Sequence, residues 1–213
     1  MTRTLRFAAL PAILTALTAA PAPDGVVAGL ERWLEGTRDM ECRFEQRLVS
    51  GALGAGAVES GTLKLLRPGR MRWDYRRPEA KIAILDGDRT FVYLPSDRQW
   101  IRGRLASQGG GLGSLLGGTG RVSEVFRATV IPPAPDGDGA YRVKLEPRQE
   151  GGGFESVTLV LRPPVYAIEA ARVLDAAGNV IEYRFSGIRR NRGVSPGVFR
   201  FEPPPGTEIV DAE

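Results

Sequence analysis

From about residue 39 onward, apolar and polar residues trade places at every second position, a period that suits a strand and not a helix. Met71, Trp73 and Tyr75 alternate with Arg70, Arg72 and Asp74. The same step recurs where Met40, Cys42, Phe44 and Leu48 stand among charged residues and Gln46, and where Leu63 and Leu65 flank Lys64. Further strands are predicted at 80–85, 90–94, 99–105, 140–146, 155–162, 168–175, 180–187 and 198–202. Turn signals separate them: Asp86-Gly87, Pro95-Ser96-Asp97, Asp136 to Gly139, Gly151 to Gly153 and Ala177-Gly178-Asn179. Around ten strands joined by tight turns predict a mainly β, α+β fold: a single antiparallel sheet curled into a barrel or half-barrel. No internal repeat or linker divides the chain.

Two segments break the alternation. Asp24 is placed to cap a helix whose apolar positions, Val27, Leu30, Trp33 and Leu34, recur at helical steps before Gly36 stops it. Gln108 to Gly120 reads QGGGLGSLLGGTG, where Leu112, Leu115 and Leu116 share one face of a helical turn flanked by glycines. Glycine disfavours helix by about 1 kcal/mol against alanine, so this element is marginal. It reads either as a mobile lid over a cavity, spanning about 106–120, or as a surface loop with its leucines tucked into the core. Residues 1–22 carry Arg3 and Arg6, then an apolar run from Phe7 to Ala20 and small residues, the pattern of a secretory signal peptide. The domain is then 23–213. The run contains Pro11 and is too short for a membrane span. No cysteine follows it at lipid-anchor spacing, so a soluble, exported product is expected.

Composition removes most catalytic chemistry. The chain has 0 His and 1 Cys, which excludes histidine-based triads, histidine-ligated metals, disulfides within the chain and cysteine-rich clusters. Asp74, Glu155 and Glu182 alternate away from the apolar face and form no acid–base constellation. Cys42 lies between Met40 and Phe44, a core position. The net charge of +4 is a weak argument for nucleic acid, and alternation sets the arginines around Trp73 and Tyr75 on the opposite face from these rings.

Parity is more informative. Leu63, Leu65 and Arg67 share a strand face that Pro68 ends. If the leucines face the concave side, Arg67 does too, and a guanidinium beside apolar walls must find hydrogen-bond acceptors. Carboxylates, main-chain carbonyls of a facing lid, or a polar ligand headgroup would serve; alternatively the side chain reaches water from the strand end. Trp73, Tyr75, Phe91, Tyr93 and Trp100 fall in the central strands, as core or as ligand surface.

Four segments, in order, resemble the periplasmic outer-membrane lipoprotein carrier family, LolA. They are Met40-x-Cys42-x-Phe44-x-Gln46, the run Gly61-Thr62-Leu63-x3-Arg67-Pro68-x-x-Met71-x-Trp73, the pair Asp86-Gly87 followed by Phe91 to Pro95, and the terminal Phe199-Arg200-Phe201-Glu202-Pro203-Pro204-Pro205-Gly206. Met71 stands where the family usually has phenylalanine, and the lid is unusually rich in glycine. The resemblance implies an unclosed antiparallel barrel with an N-terminal helix and a short helical lid over an apolar cavity for lipoprotein acyl chains. It implies a monomeric periplasmic carrier, not an enzyme, with no cofactor. Its partners would be lipoproteins, an inner-membrane ABC transporter and an outer-membrane receptor. By position, Arg67 would bond lid carbonyls when the cavity is empty, Leu112, Leu115 and Leu116 would form the lid's inner face, and Met71 would sit at the mouth. Leu63, Leu65, Trp73 and Phe91 complete the implied lipid-binding set. The alternative is a lipid- or lipoprotein-sensing interaction module on the same fold.

Overall fold

The alternation becomes one 12-stranded sheet in the computed structural model, which describes residues 22–50, 54–104, 111–118, 120–134, 137–149 and 153–212. Apart from Ala22, the leader therefore lies outside the described residues, as do 106–110 and 119 of the expected lid. The strands are β1 (Asp39–Ser50), β2 (Gly54–Leu66), β3 (Arg70–Arg77), β4 (Lys81–Asp86), β5 (Arg89–Leu94), β6 (Gln99–Arg104), β7 (Phe126–Ile131), β8 (Tyr141–Pro147), β9 (Phe154–Arg162), β10 (Ala167–Asp175), β11 (Val180–Arg190) and β12 (Glu208–Asp211). Their order across the sheet is β12-β6-β5-β4-β3-β2-β1-β11-β10-β9-β8-β7. Neighbours are antiparallel except β12, which runs parallel to β6. β7 and β12 are unjoined edges, so the curled sheet is an unclosed barrel.

Helix α1 (Pro23–Glu35) lies on the concave side and buries Val26, Leu30, Trp33 and Leu34. Its start corrects the expectation. Ala22 is the N-cap, Pro23 holds the first helical position, and Asp24 sits in the first turn. There its carboxylate favours the positive end of the helix dipole without capping. Gly36 ends the helix in a right-handed conformation, φ −75°, so no left-handed turn demands glycine. Space does: a Cβ there would stand 3.1 Å from the Arg32 carbonyl oxygen and 3.2 Å from the Arg190 guanidinium. Gly61 has a similar origin. The register shift beside it brings the Asp74 carbonyl oxygen to 2.0 Å from where a Cβ would lie.

Other differences have equally local reasons. The predicted strand at 198–202 is a 3-10 helix, Pro196–Phe199, followed by irregular chain, because the prolines at 196 and 203–205 cannot donate to a ladder. Leu48 is 47% exposed although it continues the alternation of Met40, Cys42 and Phe44. A register shift between Arg47 and Val49 interrupts the pairing with β2 there. β7 and β12 add to the predicted set: both are six residues or shorter, and both are edges.

Candidate functional site

Register assembles the inward-facing residues into rows across the strands. One row runs Met40, Leu65, Met71, Leu85, Thr90, and the next runs Cys42, Leu63, Trp73, Ala83, Val92. A third joins Phe44, Gly61, Tyr75 and Lys81. The rows cross an apolar cavity of about 170 Å3, bordered by Met71, Trp73, Tyr75, Leu85, Thr90 and Val92 from one wing of the sheet and by Val173, Ile181 and Tyr183 from the other. Leu112 and Gly113 border it from above.

These last two belong to helix α2 (Gly111–Gly117), which forms despite its glycines because tertiary burial replaces propensity. Leu112, Leu115 and Leu116 are all buried against the sheet. Fully burying a leucine is worth about 1.5–3 kcal/mol, so the three together outweigh a modest glycine penalty. Polar ties fix the C-terminal end of α2. Arg67 Nη2 donates to the Gly118 carbonyl, Nη1 donates to the Leu34 carbonyl at 2.6 Å, and the Gly69 amide donates to the Gly117 carbonyl at 3.0 Å. Arg67 is half-buried; burial pushes its pKa down and Glu35 partly offsets this. Arginine stays charged regardless, so the carbonyl bonds are the acceptors its position demands.

A second anchor follows in helix α3 (Val122–Val125). Glu31 of α1 is almost wholly buried, and accepts from the Ser123 amide at 2.9 Å, the Ser123 hydroxyl at 2.8 Å and Arg121 Nη2 at 2.9 Å. Burial alone would raise the Glu31 pKa, but the bonds from Ser123 and Arg121 together hold it below the usual glutamate value.

The nine sequence-derived residues thus divide. Met71, Trp73 and Leu112 border the cavity; Leu63, Leu65, Leu115 and Leu116 lie in the contiguous core; Arg67 ties the rim. Phe91 borders the cavity in a different way. Its residue touches the cavity wall, but its ring stacks on Trp100 at 5.4 Å between centroids, in a cluster with Tyr93 and Phe201. The tight β4–β5 turn pairs Asp86 with Arg89, which aligns Phe91 with Ile84 and turns its ring to the convex face.

Sequence reasoning missed a polar group at the cavity end away from Gly69. Tyr75 Oη donates to Gln46 Oε1 at 2.8 Å, Gln46 Nε2 donates to Glu59 at 3.3 Å, and Lys81 pairs with Glu59 while standing 4.3 Å from the centre of the Tyr75 ring. Burial pushes the Tyr75 and Tyr183 phenols well above their ordinary values, so both remain neutral. The motif residue Gln46 was the available signal, since it follows Met40, Cys42 and Phe44 on the apolar face of β1 with an uncharged polar group. Cys42 is buried; burial, and then Glu41, push its thiol up to about 12, which leaves it unreactive. Among the described residues no group of three or more Cys, Asp or Glu is placed to hold a metal ion, and no helix is long and apolar enough to cross a membrane.

A curled sheet with an apolar hollow, roofed by a marginal helix on hydrogen-bonded ties, defines a lidded half-barrel. Residues 35–202 match the family described as outer membrane lipoprotein carrier protein LolA. An outer-membrane lipoprotein carrier protein of Alkalilimnicola ehrlichii is 30% identical over 213 residues, covering 98% of this chain and 95% of that one. One of Dechloromonas aromatica is 29% identical over 188 residues, covering 87% and 88%. Among solved structures, an uncharacterized conserved protein of Thermus thermophilus superposes with a TM-score of 0.53 at 12% identity over 89% of this chain and 98% of that one, a likeness of fold. The chain belongs to the LolA family.

Proposed function

We propose that this protein is a periplasmic carrier that takes up the acyl chains of lipoproteins and moves them from an inner-membrane ABC transporter to the outer membrane, working as a monomer. Residues 1–22 serve as its export leader and 23–213 as the carrier domain. The reading rests on one observation above all: an apolar cavity under a short helix whose leucines join the core and whose C-terminal end is tied by Arg67 and Gly69.

The dimensions fit a carrier in its closed state. A cavity near 150 Å3 accommodates about one benzene, so about 170 Å3 cannot take several fatty chains until α2 moves. Each methylene removed from water gains roughly 0.8 kcal/mol, and three long chains bound without opposition would never be released. The leucine contacts of α2 and the carbonyl bonds of Arg67 oppose loading, because cargo must break them before occupying their place. Lipoprotein acyl chains bring the binding energy; the closed lid subtracts from it.

Native mass spectrometry of the protein recovered from its own periplasm tests the reading. A co-purifying acylated polypeptide is expected. Depleting the protein should also leave lipoproteins in the inner membrane, and unchanged sorting would refute the assignment.

A further inference from the structure

Thr90 borders the cavity, and its hydroxyl, enclosed beneath the closed lid, has no hydrogen-bond partner among the described residues. Thr90 pairs with Leu85, which pairs with Met71, so its side chain belongs to the same concave row. The residue is 8% exposed and borders the cavity together with Leu112 of the lid. Its hydroxyl oxygen is buried and has no hydrogen-bond partner. An unpaired buried hydroxyl is destabilising, and valine would fill nearly the same volume without that cost.

The surroundings narrow what could accept this bond. Met71, Leu85, Val92 and Leu112 are apolar, and they offer nothing to pair a phosphate or carboxylate brought among them. Among ligand groups, an acceptor that is uncharged and carried on hydrocarbon fits these surroundings best. The polar group around Tyr75 does not compete, since Gln46, Glu59 and Lys81 already engage one another there. Thr90 is also near the tethered end of the lid: Met71, in its row, follows Gly69 by two residues.

We propose that the Thr90 hydroxyl donates to a fatty-acyl ester carbonyl of the bound lipid and so sets the depth at which acyl chains seat. This rests on the carrier reading and adds to it a preference for ester-linked chains. The ester could come from the diacylglyceryl group of a lipoprotein or from a membrane phospholipid.

Calorimetric titration of the purified full protein tests the proposal with matched pairs: a dipalmitoyl-glyceryl-cysteine peptide against its dialkyl ether analogue, and diacyl against dialkyl phosphatidylglycerol. One neutral hydrogen bond nets about 1 kcal/mol, so the wild type should favour ester over ether by about fivefold. Thr90→Val should bind both members equally and unfold at a higher denaturant concentration, while Thr90→Ser should retain the preference. Equal ester and ether binding by the wild type, or a preference that survives in Thr90→Val, would overturn the proposal. A preference confined to the phospholipid pair keeps the hydroxyl's role and makes phospholipid its ligand. If the wild type binds neither peptide, the carrier reading fails.

Discussion

The two wings of the sheet are built from the same alternation and use it differently. In the wing formed by β8 to β10, the concave residues Val143, Leu145, Val157, Leu159 and Leu161 are completely buried, roofed by α1 and α2. In the wing formed by β3 to β5, Trp73, Tyr75, Ala83 and Val92 remain half-buried beside the cavity. That second wing draws support from its convex side instead. Phe201 lies 5.2 Å from Tyr93 and 5.3 Å from Trp100, Phe199 is buried, and Arg72 Nη1 donates to the Val198 carbonyl at 2.8 Å. A sheet can leave one concave surface unfilled when something packs behind it.

The comparison yields graded expectations. Leu159→Ala, in the filled wing, should lose about 3 kcal/mol, whereas Val92→Ala beside the cavity should lose less than about 1 kcal/mol. Urea unfolding of the two variants checks this, and equal losses would dissolve the distinction. Phe199→Ala should lose nearly as much as Leu159→Ala, about 2–3 kcal/mol, although Phe199 lies outside the concave core cluster. If hydrogen exchange then speeds up across β8 to β10 as much as across β3 to β5, the convex support is not specific to the open wing.

Glu31→Gln should lose about 2 kcal/mol at neutral pH, because it removes the charge that binds α3 to α1. The pH dependence has a definite sign. A carboxyl held below its unfolded value stabilises the fold above that value and loses this contribution as pH falls through the folded value. Wild-type stability should therefore drop more steeply than that of Glu31→Gln below about pH 4.3. Parallel acid limbs in urea titrations would contradict the assignment. Arg67→Leu should have only a small effect on folding, about 1 kcal/mol, since leucine can occupy the apolar rim. Its effect belongs to transfer: the variant should accept lipopeptide yet pass it poorly to acceptor vesicles, and normal delivery would remove Arg67 from the mechanism.

What was legible follows from which interactions are local. The concave faces of β1, β2 and β3 could be read directly, because Met40, Cys42, Phe44, Leu63, Leu65 and Met71 alternate with charge. The parity of Arg67 placed it beside apolar neighbours, and its acceptors then had few alternatives. Phe91 escapes such a reading because alternation distinguishes two faces without saying which is concave; the turn at Gly87 decides that. The polar group of Gln46, Glu59, Tyr75 and Lys81 comes from four strands, and only the register brings it together. Thr90 carried no signal, since a threonine in a strand is ordinary until its hydroxyl is found alone.

One bond at the roof of the cavity has a consequence for anyone redesigning it. The amide of Gly69 reaching the carbonyl of Gly117 belongs to the main chain, so exchanging side chains leaves donor and acceptor in place. Proline would delete the donor, but Gly69 holds φ at +70°, which a pyrrolidine ring forbids. Engineering therefore has a tunable fastening at position 67 and a permanent one beside it, and a cover attached in this way swings more readily than it detaches.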